Sequence, residues 1–274
     1  MFNYENITPK LGIEFTDDPQ LSKFTDSEVN HLNELAAEYG VVVARNQAMT
    51  MDQQAAFAHK LGTPLTTPIN KNGVPDELIV IKANEHSKRV AGEGWHSDVS
   101  SNAQPPGRSM LRMETVPESG GDTLFANMYL AYESLSDNFK NLISSLSAVN
   151  SAEKPDAAVT RVHRIAEKPK NSKDIVTRAI HPIVRTHPKT GRKALYCSAA
   201  HSLNLEGMSI KESSCILEYL YSVQQREEFS CRYKWKKGSL AFWDNRCAQH
   251  NALNDYHGYR RVMHRVTHEG DIPS

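Results

Sequence analysis

No stretch of the 274-residue chain approaches the roughly eighteen consecutive apolar residues that a membrane-crossing helix requires. Its opening, MFNYENITPKLGIEF, has no basic segment leading into an apolar one, so no secretory leader is read and a cytoplasmic protein is expected. An excess of charge of either sign is also missing, because 32 Lys and Arg balance 32 Asp and Glu. That removes the electrostatic footprint of a nucleic-acid binder and leaves a small molecule as the expected client, with no membrane partner and self-association left open. Cysteine is scarce. Cys197, Cys215, Cys231 and Cys247 include no CxxC pair, and a chain of this size needs no disulfide staples, so reduced thiols are expected. Cys247 and His250 have the spacing of half a zinc site, but no second pair completes it. Repeats, low-complexity tracts and a Pro/Gly/Ser-rich linker are absent, so residues 1–274 read as one domain. With 39% apolar and 23% charged residues, the composition excludes disorder and fits a globular fold.

What is present is a mixed opening followed by a strand-rich remainder. Val29, Leu32, Leu35, Ala36 and Tyr39 form a helical stripe between Thr25 or Asp26 as N-cap and Gly40 as C-cap. Val41 to Ala44 reads as a buried strand, Thr50 to Leu61 as a second helix stopped by Gly62 and Pro64, and Leu78 to Ile81 as another β run. Asn127 to Ser147 is expected to be helical, as is Glu212 to Arg226. His181 to Arg185 and Ala194 to Cys197 are expected to be strands around the turn Pro188 to Gly191. Residues 152–177, rich in Lys, Arg, Glu and Pro, are expected to form an exposed mobile loop, either a solvated excursion or an active-site lid.

The segment Gly94-Trp95-His96-Ser97-Asp98-Val99 carries the most chemistry. If it is extended, the period of two puts His96 and Asp98 on one face, about 7 Å apart at the backbone, within reach of one metal ion. An imidazole and a carboxylate so placed are two-thirds of a facial triad, which leaves the opposite positions of an octahedral metal open. Alone, His-x-Asp is weak, since such tripeptides arise by chance. Arg261 to His268 alternates strictly, with Arg261, Met263, Arg265 and Thr267 on one face and Val262, His264 and Val266 on the other. For an isolated strand the valines should face inward and the arginines solvent, because an unpaired buried charge is costly. The arginines turn inward only if anions await them, and about 13–14 Å of separation suits two anions better than one small one.

The segments WHSDV, GGDT (Gly120 to Thr123), HPIVRTHPKTGRKALY (His181 to Tyr196), WDNRCAQH and YRRVMHRV resemble the taurine dioxygenase (TauD/TfdA) family in order and spacing, from the first helix to Gly270. The resemblance implies a mainly β fold, a double-stranded β-helix or cupin-like jelly-roll with helices packed outside. It implies an oxidoreductase that uses Fe(II), 2-oxoglutarate as co-substrate and O2 to hydroxylate a small anionic substrate, releasing succinate and CO2. Carried over by position, His96, Asp98 and His250 match the iron ligands, Thr123 and Arg261 the pair that grips the far carboxylate of 2-oxoglutarate, and Arg265 the arginine that meets the substrate's anionic group. A carboxylate at position 98, where halogenating relatives have a small residue, favours hydroxylation over halogenation.

The substrate shell departs from the family pattern. Where taurine-specific members carry a histidine and a tyrosine, this chain has Thr67 and Asn70; an aromatic pocket residue is replaced by His201, and an asparagine before the metal-binding tripeptide by Gly92. Thr67, Asn70, His201 and Arg265 are therefore the candidate substrate contacts, and a sulfonate, sulfate ester or carboxylate other than taurine is expected. Trp95 and Trp243 beside the motifs are read as packing. Two alternatives are a metal-dependent hydrolase using the same His/Asp/His set, which leaves Thr123 and Arg261 without a role, and a non-catalytic jelly-roll that binds a small anion.

Overall fold

The computed structural model describes residues 2–66, 73–87, 91–154 and 177–274. Alternation of side chains builds two layers of core from one sheet. Val41–Ala44 (β3) pairs with Leu240–Asp244 (β13), which pairs in turn with Arg108–Thr115 (β5), and Arg261–His268 (β15) lies on the far side of β5. Tyr4–Thr8 (β1), Leu11–Phe15 (β2) and Ile79–Ala83 (β4) complete seven strands in the order β1-β2-β3-β13-β5-β15-β4. On one face Val42, Ala44, Met110, Leu240, Phe242 and Val266 pack with Leu32, Ala36, Phe57, Ala58 and Leu61 from two helices, Asp26–Tyr39 (α1) and Met51–Leu61 (α2). On the other, Val41, Val43, Leu111, Met113, Trp243 and Met263 meet Phe125. Strands covered on both faces read as continuous apolar runs, which is why VVVA needs no polar partner.

Phe125 belongs to Thr123–Asn127 (β6), the centre of a small sheet between Ser230–Tyr233 (β12) and Ala248–Ala252 (β14). Ser147–Ser151 (β7) pairs with Arg178–Pro182 (β8) and Ser202–Leu205 (β11), while Val184–Thr186 (β9) and Lys193–Leu195 (β10) form a hairpin. Three further helices, Met128–Glu133 (α3), Asp137–Ile143 (α4) and Ile210–Gln224 (α5), cover this side through Tyr129, Ile143, Leu217 and Leu220. The fold is thus the mainly β jelly-roll with outer helices.

Local chemistry accounts for the boundaries and for two departures from expectation. Thr25, Thr50 and Ser209 each close a capping box at the start of α1, α2 and α5, and Gly40 takes φ 79° to end α1. The single helix expected over Asn127 to Ser147 is two: Ser134 ends α3 and the Ser136 hydroxyl accepts from the Phe139 amide to start α4, after which Ser147 opens a strand. The segment around His96 is not a strand. It makes only an isolated bridge to His250, because Gly92, Gly94 and Val99 at φ 87°, 89° and 45° break the extension on both sides. All four cysteines are free. Among the described residues no helix is long and apolar enough to cross a membrane. Residues 155–176, the bulk of the expected loop or lid, lie outside the described residues.

Candidate active site

The small sheet and the bent segment before β5 bring three ligand groups together. His250 sits on β14, and the His96 amide donates to its carbonyl at 3.1 Å while the His250 amide donates back at 2.9 Å. One atom each from His96, Asp98 and His250 lies within 4.8 Å of the others, all three residues being buried. The bend that replaces the expected strand brings Asp98 Oδ1 to 4.0 Å from His96 Nε2. His96 Nδ1 is 2.8 Å from the Gly94 carbonyl, so it carries the proton and leaves the Nε2 lone pair for a metal. Two imidazoles and a carboxylate on one side of a point form a facial donor set that suits a non-haem iron(II) ion with open positions.

The electrostatics favour the ligating protonation states. Burial pushes the His250 imidazole down to about 3, helped by the neighbouring His96, so it is neutral at physiological pH. Burial alone would raise the Asp98 carboxyl, but Arg265, the two histidines and the Ser109 hydroxyl together outweigh it and hold the group well below the usual carboxylate range. Arg265 Nη1 donates to Asp98 Oδ1 at 3.1 Å. This corrects one expectation: the charge that makes burial of Arg265 tolerable comes from Asp98 and need not come from substrate. Arg265 Nε remains buried without a partner among the described residues.

β15 does turn its arginines inward. Arg261 and Arg265 line one cleft with Thr123, His250, Phe125 and Trp243. Arg261 is 3% exposed, donates to the Gly121 carbonyl at 3.1 Å and lies 5.3 Å from the centre of the Tyr256 ring. Among the described residues no carboxylate forms an ion pair with it, and its Nε has no partner. Thr123 Oγ1 accepts from Trp235 Nε1 at 2.9 Å, and since indole can only donate, the threonine proton is free to point elsewhere. A buried cation and a hydroxyl with a proton to give, lining the same cleft, have the chemistry to receive an anion.

The other expected contacts divide. The His201 ring lies 6.2 Å from that of His96, at the edge of the triad, whereas Thr67 and Asn70 lie outside the described residues. Gly92 lines the cleft, where an added Cβ would sit 3.4 Å from His96 Cε1. Trp243 packs its ring 4.8 Å from that of His250. Cys247 gathers with His187 and Asp244 instead of His250. In that group His187 Nδ1 accepts from the Lys189 and Thr190 amides and Nε2 faces Asp244 Oδ2 at 3.2 Å, so no lone pair is left for a metal, and Arg246 pairs with Asp244. Sequence reading passed over Ser109, Trp235, Asn245 and Tyr256. Asn245 stands in WDNRCAQH with His250, and Tyr256 and Ser109 lie close along the chain to Arg261 and Asp98, but none carries a motif of its own, while Trp235 reaches Thr123 from just past β12, far along the chain.

The model of the taurine catabolism dioxygenase TauD, TfdA family matches residues 3–267. An alpha-ketoglutarate-dependent sulfonate dioxygenase of Saccharomyces cerevisiae is 31% identical over 288 residues, covering 98% of this chain and 67% of that protein. An alpha-ketoglutarate-dependent sulfate ester dioxygenase of Pseudomonas putida is 32% identical over 275 residues, covering 97% of this chain and 89% of its own length. The crystal structure of a taurine dioxygenase from Burkholderia xenovorans superposes with a TM-score of 0.83 at 32% identity, covering 99% of this chain and 92% of that one. With a buried His/Asp/His set and two buried arginines sharing a cleft with His250, and with the family match along nearly its whole length, the chain belongs to the TauD/TfdA family of oxidoreductases, the Fe(II)- and 2-oxoglutarate-dependent dioxygenases.

Proposed function

We propose that the chain hydroxylates a small organic anion, a sulfonate, sulfate ester or carboxylate, in the overall reaction R–H + O2 + 2-oxoglutarate → R–OH + succinate + CO2. The observation that carries this reading is the pair of inward arginines on one strand, Arg261 without a counter-charge and Arg265 with part of its guanidinium committed to Asp98 and Nε uncommitted. His96, Asp98 and His250 would hold the iron, which supplies O2 activation coupled to decarboxylation of the keto acid. Arg261 and the Thr123 proton bind the far carboxylate of 2-oxoglutarate and so aim its keto acid end at the triad. Arg265 lines the same cleft beside the candidate ligand carboxylate, where it can also draw an anionic substrate head and set which C–H bond is presented.

The names of the relatives support an anionic client, since sulfonate and sulfate ester both occur among them. Hydroxylation at the carbon bearing a sulfonate or sulfate oxygen gives an unstable adduct that collapses to a carbonyl compound and sulfite or sulfate. The test is a panel of alkyl sulfonates, alkyl sulfates and aryloxy or alkyl carboxylates, followed by succinate and by released sulfite, sulfate or aldehyde. Taurine should turn over poorly, because Thr67 and Asn70 stand where taurine-specific members carry a histidine and a tyrosine and His201 where they carry an aromatic pocket residue, and missing hydrogen-bond partners cost several decades. Taurine turnover at kcat/KM above about 10⁴ M⁻¹s⁻¹, or undiminished turnover of the preferred anion by Arg265→Ala, would overturn the reading.

A further inference from the structure

Asp98 presents two oxygens, and the protein gives them different neighbours. Oδ1 faces the other ligands, 4.0 Å from His96 Nε2 and 3.1 Å from Arg265 Nη1. Oδ2 accepts from the hydroxyl of Ser109, a fully buried residue on the inner face of β5. The direction of that bond is set by a relay of groups with only one way to pair. Trp243 Nε1 can only donate, so the Asn245 atom it meets at 3.0 Å must be the amide oxygen. The same oxygen takes the Asp98 backbone N–H at 3.3 Å. Asn245 Nδ2 is therefore turned to Ser109 Oγ, 2.9 Å away, and must donate to it. Having accepted there, Ser109 has its one proton left for Asp98 Oδ2.

We propose that the Trp243–Asn245–Ser109 relay fixes Asp98 as a one-oxygen ligand by occupying its second oxygen, so that a chelating keto acid and O2 each retain a coordination position. A carboxylate free to rotate can take two corners of an octahedron, and with two imidazoles that leaves two positions where the reaction needs three. Ser109 and Asn245 are positioning residues, since neither reaches the metal or the substrate. The inference rests on the reading of His96, Asp98 and His250 as the ligand set.

The test compares wild type with Ser109→Ala, which deletes one oxygen, and Ser109→Thr, which keeps the donor. Under anaerobic conditions the Fe(II) dissociation constant is measured by competition with a chromophoric chelator, and the 2-oxoglutarate dissociation constant by the visible absorption band that keto acid chelation produces. Ser109→Ala should hold Fe(II) as tightly as wild type or tighter while its 2-oxoglutarate dissociation constant rises at least fivefold; Ser109→Thr should stay within about twofold of wild type on both. A general loosening of the site would weaken the two constants in parallel, and that outcome, or no change in the keto acid constant, overturns the proposal. If Ser109→Ala is recovered unfolded, Asn245→Asp reads the same relay, because its carboxylate accepts the serine proton and withdraws it from Asp98; the same split supports the proposal and its absence overturns it. Failure of wild type itself to bind Fe(II) would instead remove the ligand reading beneath it.

Discussion

Arg261→Ala should raise the KM for 2-oxoglutarate by one to two orders of magnitude, because each charge-assisted bond to a carboxylate is worth about 1.5–3 kcal/mol. The side chain is buried, has no carboxylate ion-pair partner among the described residues and lines the same cleft as Thr123. Thr123→Ala should give a smaller rise. Steady-state kinetics with 2-oxoglutarate varied decides the matter, and an unchanged KM in Arg261→Ala would remove the carboxylate site. At this scale the candidate metal and co-substrate residues were legible, since ligand types are dictated by chemistry and stand in short motifs. The counter-charge of Arg265 was not, because Asp98 comes 167 residues earlier and only the packing of β15 against the bent segment brings them together.

The turn before β6 and the strand β15 each carry a prediction of their own. Gly120 and Gly121 take φ 74° and 73°, and a Cβ on Gly121 would lie 3.0 Å from Pro117 Cγ, 3.2 Å from Tyr256 Cδ1 and 3.4 Å from Arg261 Cδ. Gly121→Ala should therefore crowd Pro117 and the Tyr256 ring that lies against Arg261 and so weaken 2-oxoglutarate binding, while adding backbone strain of about 1 kcal/mol or more; isothermal titration of the metal-loaded protein measures the first and urea unfolding the second. At the end of β15, burial pushes His268 down to about 4, with its Nε2 at 3.0 Å from the Ala58 carbonyl. The unfolded chain binds a proton at about pH 6.5 that the folded form refuses until about pH 4, so this group's effect is absent above the unfolded value and destabilises progressively as the pH falls between the two. The apo-protein should lose about 2 kcal/mol from this group between pH 7 and pH 5. His268→Gln, which keeps the donor to Ala58, should flatten that slope in urea titrations, and an identical slope would place the titrating group elsewhere. Element boundaries with caps were readable in advance because capping is local, as at Thr25, Thr50 and Gly40. The break between α3 and α4 was missed because apolar spacing continues across Ser134 to Ser136 while the backbone does not.

For the whole molecule, ligand binding and folding are linked, since the three candidate ligands come from two separate segments joined by the His96–His250 bridge. Fe(II) at about a hundredfold excess over its dissociation constant should stabilise the fold by about 2.7 kcal/mol, or about 5–10 °C in Tm for a chain of this size. Asp98→Ala should abolish the shift under anaerobic calorimetry and melt below the apo wild type, because it strips the buried Arg265 of its counter-charge; a full shift in that variant would exclude Asp98 as a ligand.

The sequence by itself determined what is local: the absence of charge excess, the capped helices, the strands buried on both faces, and the short motifs in which the candidate His, Asp, Thr and Arg residues stand. Tertiary structure decided the rest. It bent the His96 segment out of the sheet, gave Arg265 its partner in Asp98, left Arg261 without one, and assembled Trp243, Asn245 and Ser109 behind Asp98. Those relations join β5, β13, β15 and the bent segment across more than a hundred residues of chain in several cases, and hydrogen-bond direction depends on which donor meets which acceptor in space, something no periodicity along the chain encodes.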